Sequence, residues 1–222
     1  MIMLSSEVVL MLAEGVRDTL YMTLTSTLFA YILGFPIAIA VILFKKDGLR
    51  PMPVVYRIMD FIVNILRSVP FLILLILVIP ITKLIVGKSY GSTATIVPLV
   101  IAAAPFVARL IESSLSEVDS GVIEAAQSMG ASIKTIVFKV LIPEAKTSLL
   151  TGCTIALATI LGYSAMAGIV GGGGLGDIAI RYGYYRYQVD IMFITVIMLV
   201  ILVQILQEIG MRIAKKTDKR TL

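Results

Sequence analysis

The chain has 222 residues, 59% of them hydrophobic and 15% charged, and its mean hydropathy is +1.01. A soluble domain is closer to half apolar and about a quarter charged, so a water-soluble fold is excluded and an all-α integral membrane protein of one domain is predicted. The net charge of +5 does not point to nucleic acid, because Lys and Arg gather at the ends of apolar runs.

The single cysteine, Cys153, excludes an internal disulfide, and a chain without histidine has no His-based catalysis and no His metal site. No basic segment precedes the first apolar stretch, so no cleavable signal peptide is expected. Residues 7–17 place Val8, Val9, Leu12 and Val16 on one side and Glu7, Glu14 and Arg17 elsewhere. That pattern predicts a short helix lying at the membrane interface, an N-terminal element covering residues 1–18.

A membrane helix needs roughly 20 mostly apolar residues. The first such run is 19–44, with Gly34 and Pro36 marking a kink, and it stops at Lys45-Lys46-Asp47-Gly48. Arg57, Asp60, Asn64 and Arg67 follow at steps of three and four, which makes them one polar stripe on a helix over 54–66. The second span is expected at 68–86, with Pro70 and Pro80 inside it. Arg67, at its start, suits an interface anchor or a functional role at membrane depth. The third span covers 93–111, with Arg109 and Glu112 at its end.

The stretch 119–143, DSGVIEAAQSMGASIKTIVFKVLIP, is too polar for lipid and lies between spans. Asp119 or Ser120 can cap a helix, Gly130 permits the left-handed residue that ends it, and Ser132 can cap a second helix over 133–142. Pro143 suits the first turn of a third, where its missing N–H costs nothing. Ile123, Ala125, Ala126 and Met129 beside one acid, Glu124, leave two readings open: a small-residue face that docks on another protein, or a hairpin packed on its own chain.

The fourth span, 147–170, is rich in Gly, Ala, Ser and Thr, which suits close helix packing and a narrow path better than contact with lipid all round. Tyr163, Ser164 and Met166 are the conspicuous side chains near its far end. Gly171-Gly172-Gly173-Gly174-Leu175-Gly176-Asp177 spells G-x-G-x-x-G but follows a membrane helix, so a dinucleotide site is excluded and a tight, flexible turn outside the membrane is expected. Tyr182, Tyr184, Tyr185 and Tyr187 read as an interfacial belt. The fifth span is 191–209, within a membrane domain over 19–212, and residues 213–222 form a basic tail.

Placing the 45–53 turn, the 119–143 loop and the tail on one side gives that side about thirteen Lys and Arg against about five on the other. The basic side is cytoplasmic, so the chain is a multi-pass protein of the cell (inner) membrane with its N-terminus outside and its C-terminus inside.

Glu124-Ala125-Ala126, three residues, Gly130, nine residues and then Val140-Leu141-Ile142-Pro143 resembles the EAA loop of ABC-importer permeases. Arg67-Ser68-Val69-Pro70-Phe71 and the run from Leu161 through Gly168 are similar to the methionine-uptake members of that group. The resemblance implies the type I importer permease fold, with about five transmembrane helices and Glu124, Ala125, Ala126, Met129, Gly130 and Pro143 in a coupling helix and its hairpin. It implies a homodimer, two ATP-binding subunits that hold the ATP and Mg, and a periplasmic or lipid-anchored methionine-binding protein. L-Methionine and related amino acids would enter the cytoplasm by alternating access. Tyr163, Ser164 and Met166 would form part of an external gate, although ordinary interhelical packing accounts for Met166 equally well. The chain itself would need no cofactor, no metal and no catalytic residue. Two other readings stand beside this one: an importer of another small solute, and an ion-coupled secondary transporter, which would be expected to place ionisable groups at mid-membrane.

Overall fold

The computed structural model describes residues 6–218, and among these every regular element is helical. The first residues of the expected N-terminal element, 1–5, and the end of the basic tail, 219–222, lie outside the described residues. Four helical runs are long and apolar enough to cross a membrane: Ser6–Phe44, Ser92–Ser116, Lys146–Tyr184 and Val189–Thr217. A fifth is counted when two helices bent by 100° at a short break, Pro53–Ser68 and Phe71–Leu77, are taken as one span.

Helix α1 (Ser6–Phe44) corrects the expected start of the chain. It takes in the 7–17 stretch and the first span without interruption, because nothing between Arg17 and Leu20 breaks a helix. The apolar side expected to meet the interface has a protein partner instead: Leu12 is 6% exposed and sits with Leu175, Ile178 and Ile191, and Val8 and Val16 pack against them.

The second span departs further from expectation. After α2 (Pro53–Ser68) come α3 (Phe71–Leu77) and α4 (Ile79–Val86), separated at Val78, where φ is −90° and ψ −1°. Pro80 has no N–H to continue the ladder and its ring crowds the carbonyl four residues back, and the helix is interrupted two residues before it. Gly87, with φ +80°, ends α4. The remaining α-helices are α5 (Ser92–Ser116), α6 (Ser120–Ser128), α7 (Ile133–Ile136), α8 (Ile142–Glu144), α9 (Lys146–Met166), α10 (Gly174–Ile178) and α11 (Val189–Thr217).

The contacts divide the chain into two compact units. One takes in the chain up to Phe29, Val69–Ala103 and Leu157–Gln207; the other takes in Ala30–Ser68, Ala104–Ala156 and the chain from Glu208 on. Helices α1, α5, α9 and α11 each have residues in both.

In the first unit the glycine run is the main surprise. All five residues of α10 are buried, where a flexible external turn was expected. Gly171, Gly173 and Gly174 have φ of +75°, +82° and +75°, and a β carbon on Gly174 would sit 2.6 Å from Thr19 Oγ1. The backbones of Gly168 and Gly176 touch, and Gly176 also lies against the Ala165 carbonyl. The glycines therefore serve close packing rather than motion. The turn is further tied by the Leu175 N–H donating to Thr19 Oγ1 (2.9 Å), the Gly91 N–H to the Gly171 carbonyl (2.9 Å) and Thr95 Oγ1 to the Gly172 carbonyl (3.2 Å).

In the second unit α5 provides the core, with Val107, Ala108, Ile111 and Leu115 buried. Small residues bring neighbouring helices onto it and onto α9. A β carbon on Gly34 of α1 would lie 2.9 Å from the Ala104 carbonyl oxygen, and Gly210 of α11 rests directly on Thr154.

Candidate coupling hairpin and path residues

The 119–143 stretch forms the expected capped hairpin. Asp119 accepts the Gly121 N–H at 2.7 Å at the start of α6. At its end the Ala131 N–H donates to the Ala126 carbonyl (3.1 Å) and the Gly130 N–H to the Gln127 carbonyl (2.9 Å), with Gly130 at φ +76°. This pair of bonds satisfies carbonyls that the helix end would otherwise leave open. Ser132 then accepts the Thr135 N–H at 3.3 Å and starts α7.

The second arm differs from a plain helix over 133–142. Val137–Leu141 is one wide π-helical turn, closed by the Ile142 N–H donating to the Val137 carbonyl. Pro143, which stands at the start of α8, explains it: the proline ring cannot coexist with the α-helical position of the Lys139 carbonyl, and a wider turn moves that carbonyl aside.

The hairpin has two different sides. Ala126, Ile136, Val137, Leu141 and Ala145 are buried and seat it on its own unit. Met129 is 82% exposed and Phe138 62%, while Val122, Glu124 and Ala125 are also exposed. The inner side packs on the chain, as one of the two sequence readings expected, and the outer side is uncovered.

The path residues meet separate fates. Tyr163 stacks on Phe71, with centroids 4.5 Å apart and planes 6° from parallel. Ser164 is buried and spends its hydroxyl inside α9, donating to the Leu161 carbonyl at 2.8 Å. Met166 is 46% exposed. Arg67 is exposed at the end of α2.

A polar cluster within the second unit was only half legible. Arg109 Nη2 donates to Asp60 Oδ1 (2.6 Å) and to Asn64 Oδ1 (2.9 Å), and Nη1 donates to Glu112 Oε2 (2.6 Å). Asn64 Nδ2 in turn donates to Asp60 Oδ2 at 3.1 Å. The stripe on α2 and the charges on α5 are both plain in the sequence; their pairing spans 49 positions, and no local spacing announces it.

Apolar helices of spanning length, small-residue helix contacts and a capped hairpin with an exposed side define a polytopic membrane protein. The chain belongs to the family of binding-protein-dependent transport system inner membrane components, whose model matches residues 30–221. It is 52% identical to the probable D-methionine transport system permease protein MetI of Vibrio cholerae, over 95% of this chain and 93% of that one. It is 46% identical to the methionine import system permease protein MetP of Bacillus subtilis, over 79% of each. Its fold superposes with a TM-score of 0.95 on a chain of the MetNI methionine ABC transporter solved in inward-facing conformations, at 44% identity, covering 97% of this chain and 100% of that one.

Proposed function

We propose that this chain is the membrane subunit of an ATP-driven importer that moves L-methionine and related amino acids into the cytoplasm by alternating access. The observation behind the reading is the uncovered outer side of the hairpin, with Met129 at 82% exposure beside Gly130. A large apolar side chain held out from a doubly capped helix is suited to a groove on another protein. The relatives named for methionine transport supply the substrate class.

In this reading two copies of the chain work with two ATP-binding subunits, which hold ATP and Mg and carry out hydrolysis. Glu124, Ala125, Met129 and Gly130 enter the cleft of the ATP-binding subunit, Ala126 seats the same helix on its own chain from the inner side, and Pro143 sets the turn that leads to α9. A periplasmic or lipid-anchored binding protein delivers the substrate. The hairpin and the tail lie in the cytoplasm and the N-terminus outside, a reading supported by the basic-residue count. Tyr163 and Met166 contribute to the external gate, Ser164 supports it from within α9, and Arg67 anchors α2 at the interface.

The test is reconstitution of the chain with its ATP-binding and solute-binding partners in vesicles. Uptake of labelled L-methionine that requires ATP is the expected result. ATP-dependent uptake of a different solute alone would shift the substrate class, and uptake driven by an ion gradient without ATP would overturn the mechanism.

A further inference from the structure

Helix α2 is attached to its unit in an unusual way. Of its 16 residues, all described, Val63 is the one buried. Val54, Ile58, Phe61, Ile62 and Ile65 are exposed. Helix α5, by contrast, is locked by buried residues along its length, Val107, Ala108, Ile111 and Leu115 among them, and its C-terminal end at Ser116 leads into the hairpin that Asp119 caps. The Arg109 cluster joins α2 to α5.

We infer that Arg109 is a positioning residue that makes α2 follow α5, and so makes α2 follow the coupling hairpin. The inference rests on the importer reading above. The physical case lies in the kind of joint. Between helices in lipid, apolar contact gains little, because the acyl chains are as apolar as the side chains they would replace. Such a contact also lets helices slide. A guanidinium held by three acceptors at 2.6 Å, 2.6 Å and 2.9 Å has one orientation. Charge-assisted bonds are about twice as strong as neutral ones, and the planar fork gives them direction. Asn64 adds a second constraint, since it accepts from Arg109 and donates to Asp60, so the two α2 partners, one turn apart, hold each other in place. Arg109, Asp60 and Glu112 are all partly buried, with side chains 26%, 30% and 11% exposed, which limits screening by water. A joint of this kind transmits rotation and translation from α5 to a helix that buries one side chain, Val63, within its own chain.

The experiment compares the reconstituted complex carrying wild-type chain, Asp60→Asn or Arg109→Lys. Methionine uptake and ATP hydrolysis are measured on the same vesicles, per assembled complex. In Asp60→Asn the methionine moved per ATP should fall about tenfold while hydrolysis stays within about twofold of wild type, a loss within the usual range of coupling between sites. Arg109→Lys, which keeps the charge but loses the fork, should show a smaller fall. Amide hydrogen exchange supplies a readout that does not depend on turnover: peptides from α2 should exchange about tenfold faster in Asp60→Asn, with α6 unchanged. Uptake and hydrolysis falling in step, or α2 protection equal to wild type, would overturn the inference. If Asp60→Asn does not assemble, Arg109→Lys is judged by the same two criteria. If the wild-type complex moves no methionine with ATP, the importer reading fails, and the exchange measurement still decides whether Arg109 holds α2.

Discussion

The ring of Phe71 lies flat on that of Tyr163, 4.5 Å away and within 6° of parallel. The two residues come from the start of α3, next to Pro70, and from the last turn of α9. Stacked rings contribute about 0.5–1.5 kcal/mol beyond the area they bury. A double-mutant cycle with Phe71→Ala and Tyr163→Ala, read by thermal unfolding in detergent, should give a coupling energy of about 1 kcal/mol. Tyr163→Phe should be neutral, because the stack uses the ring and not the hydroxyl.

Thr19 is expected to be needed for its hydroxyl. It accepts the buried Leu175 N–H and donates to the Gly15 carbonyl at 2.8 Å. Thr19→Val keeps the shape and orphans the N–H, which should cost about 1–3 kcal/mol. Thr19→Ser should retain most of the stability. Equal unfolding midpoints for the Val and Ser variants would show that the bond contributes nothing.

The glycine run separates two kinds of constraint. Gly168 and Gly176 face backbone, so an alanine at either site must push main chain aside. Overpacking of that kind costs about 1–3 kcal/mol or more. Gly171 has open space around it but φ +75°, so Gly171→Ala should cost only the strain of a left-handed residue, about 1 kcal/mol. Denaturation of the three variants in one detergent should rank Gly171→Ala as the mildest.

At the hairpin, stability and coupling should part company. Nothing lies within 4 Å of a β carbon on Gly130, so Gly130→Val acts through its φ of +76° alone. It should loosen the end of α6 by about 1–2 kcal/mol and lower methionine moved per ATP. Gly130→Asn, which tolerates the left-handed region, should retain more of both.

Met129→Asp should leave the unfolding midpoint within about 0.5 kcal/mol of wild type, as expected for an exposed side chain. Co-purification with the ATP-binding subunit should fall about tenfold or more if Met129 is an anchor of that contact. Undiminished co-purification would remove Met129 from the interface.

Much of this protein was legible from local pattern. Hydropathy runs located the long helices, because lipid demands that backbone bonds close within each segment. Asp119, Gly130 and Ser132 announced the hairpin through capping chemistry that acts over three or four residues. Other features depended on distant partners. Pro70 and Pro80 were visible, but the sharp bend and the division of the second span needed the surrounding helices to choose where the chain breaks. The amphipathic start of α1 showed that one side would be covered, and tertiary structure decided that Leu175 and Ile178 would cover it.

By itself the sequence determined the class of protein, the placement of most helices and the capped loop, since each follows from chemistry between near neighbours along the chain. Only the tertiary structure decided that the glycine run is buried rather than free, and that Arg109 closes on Asp60 and Asn64. The physical reason is the same in both cases: a backbone packed against backbone, or a charge held by a distant carboxylate, is set by which helices meet, and that information is spread over the whole chain.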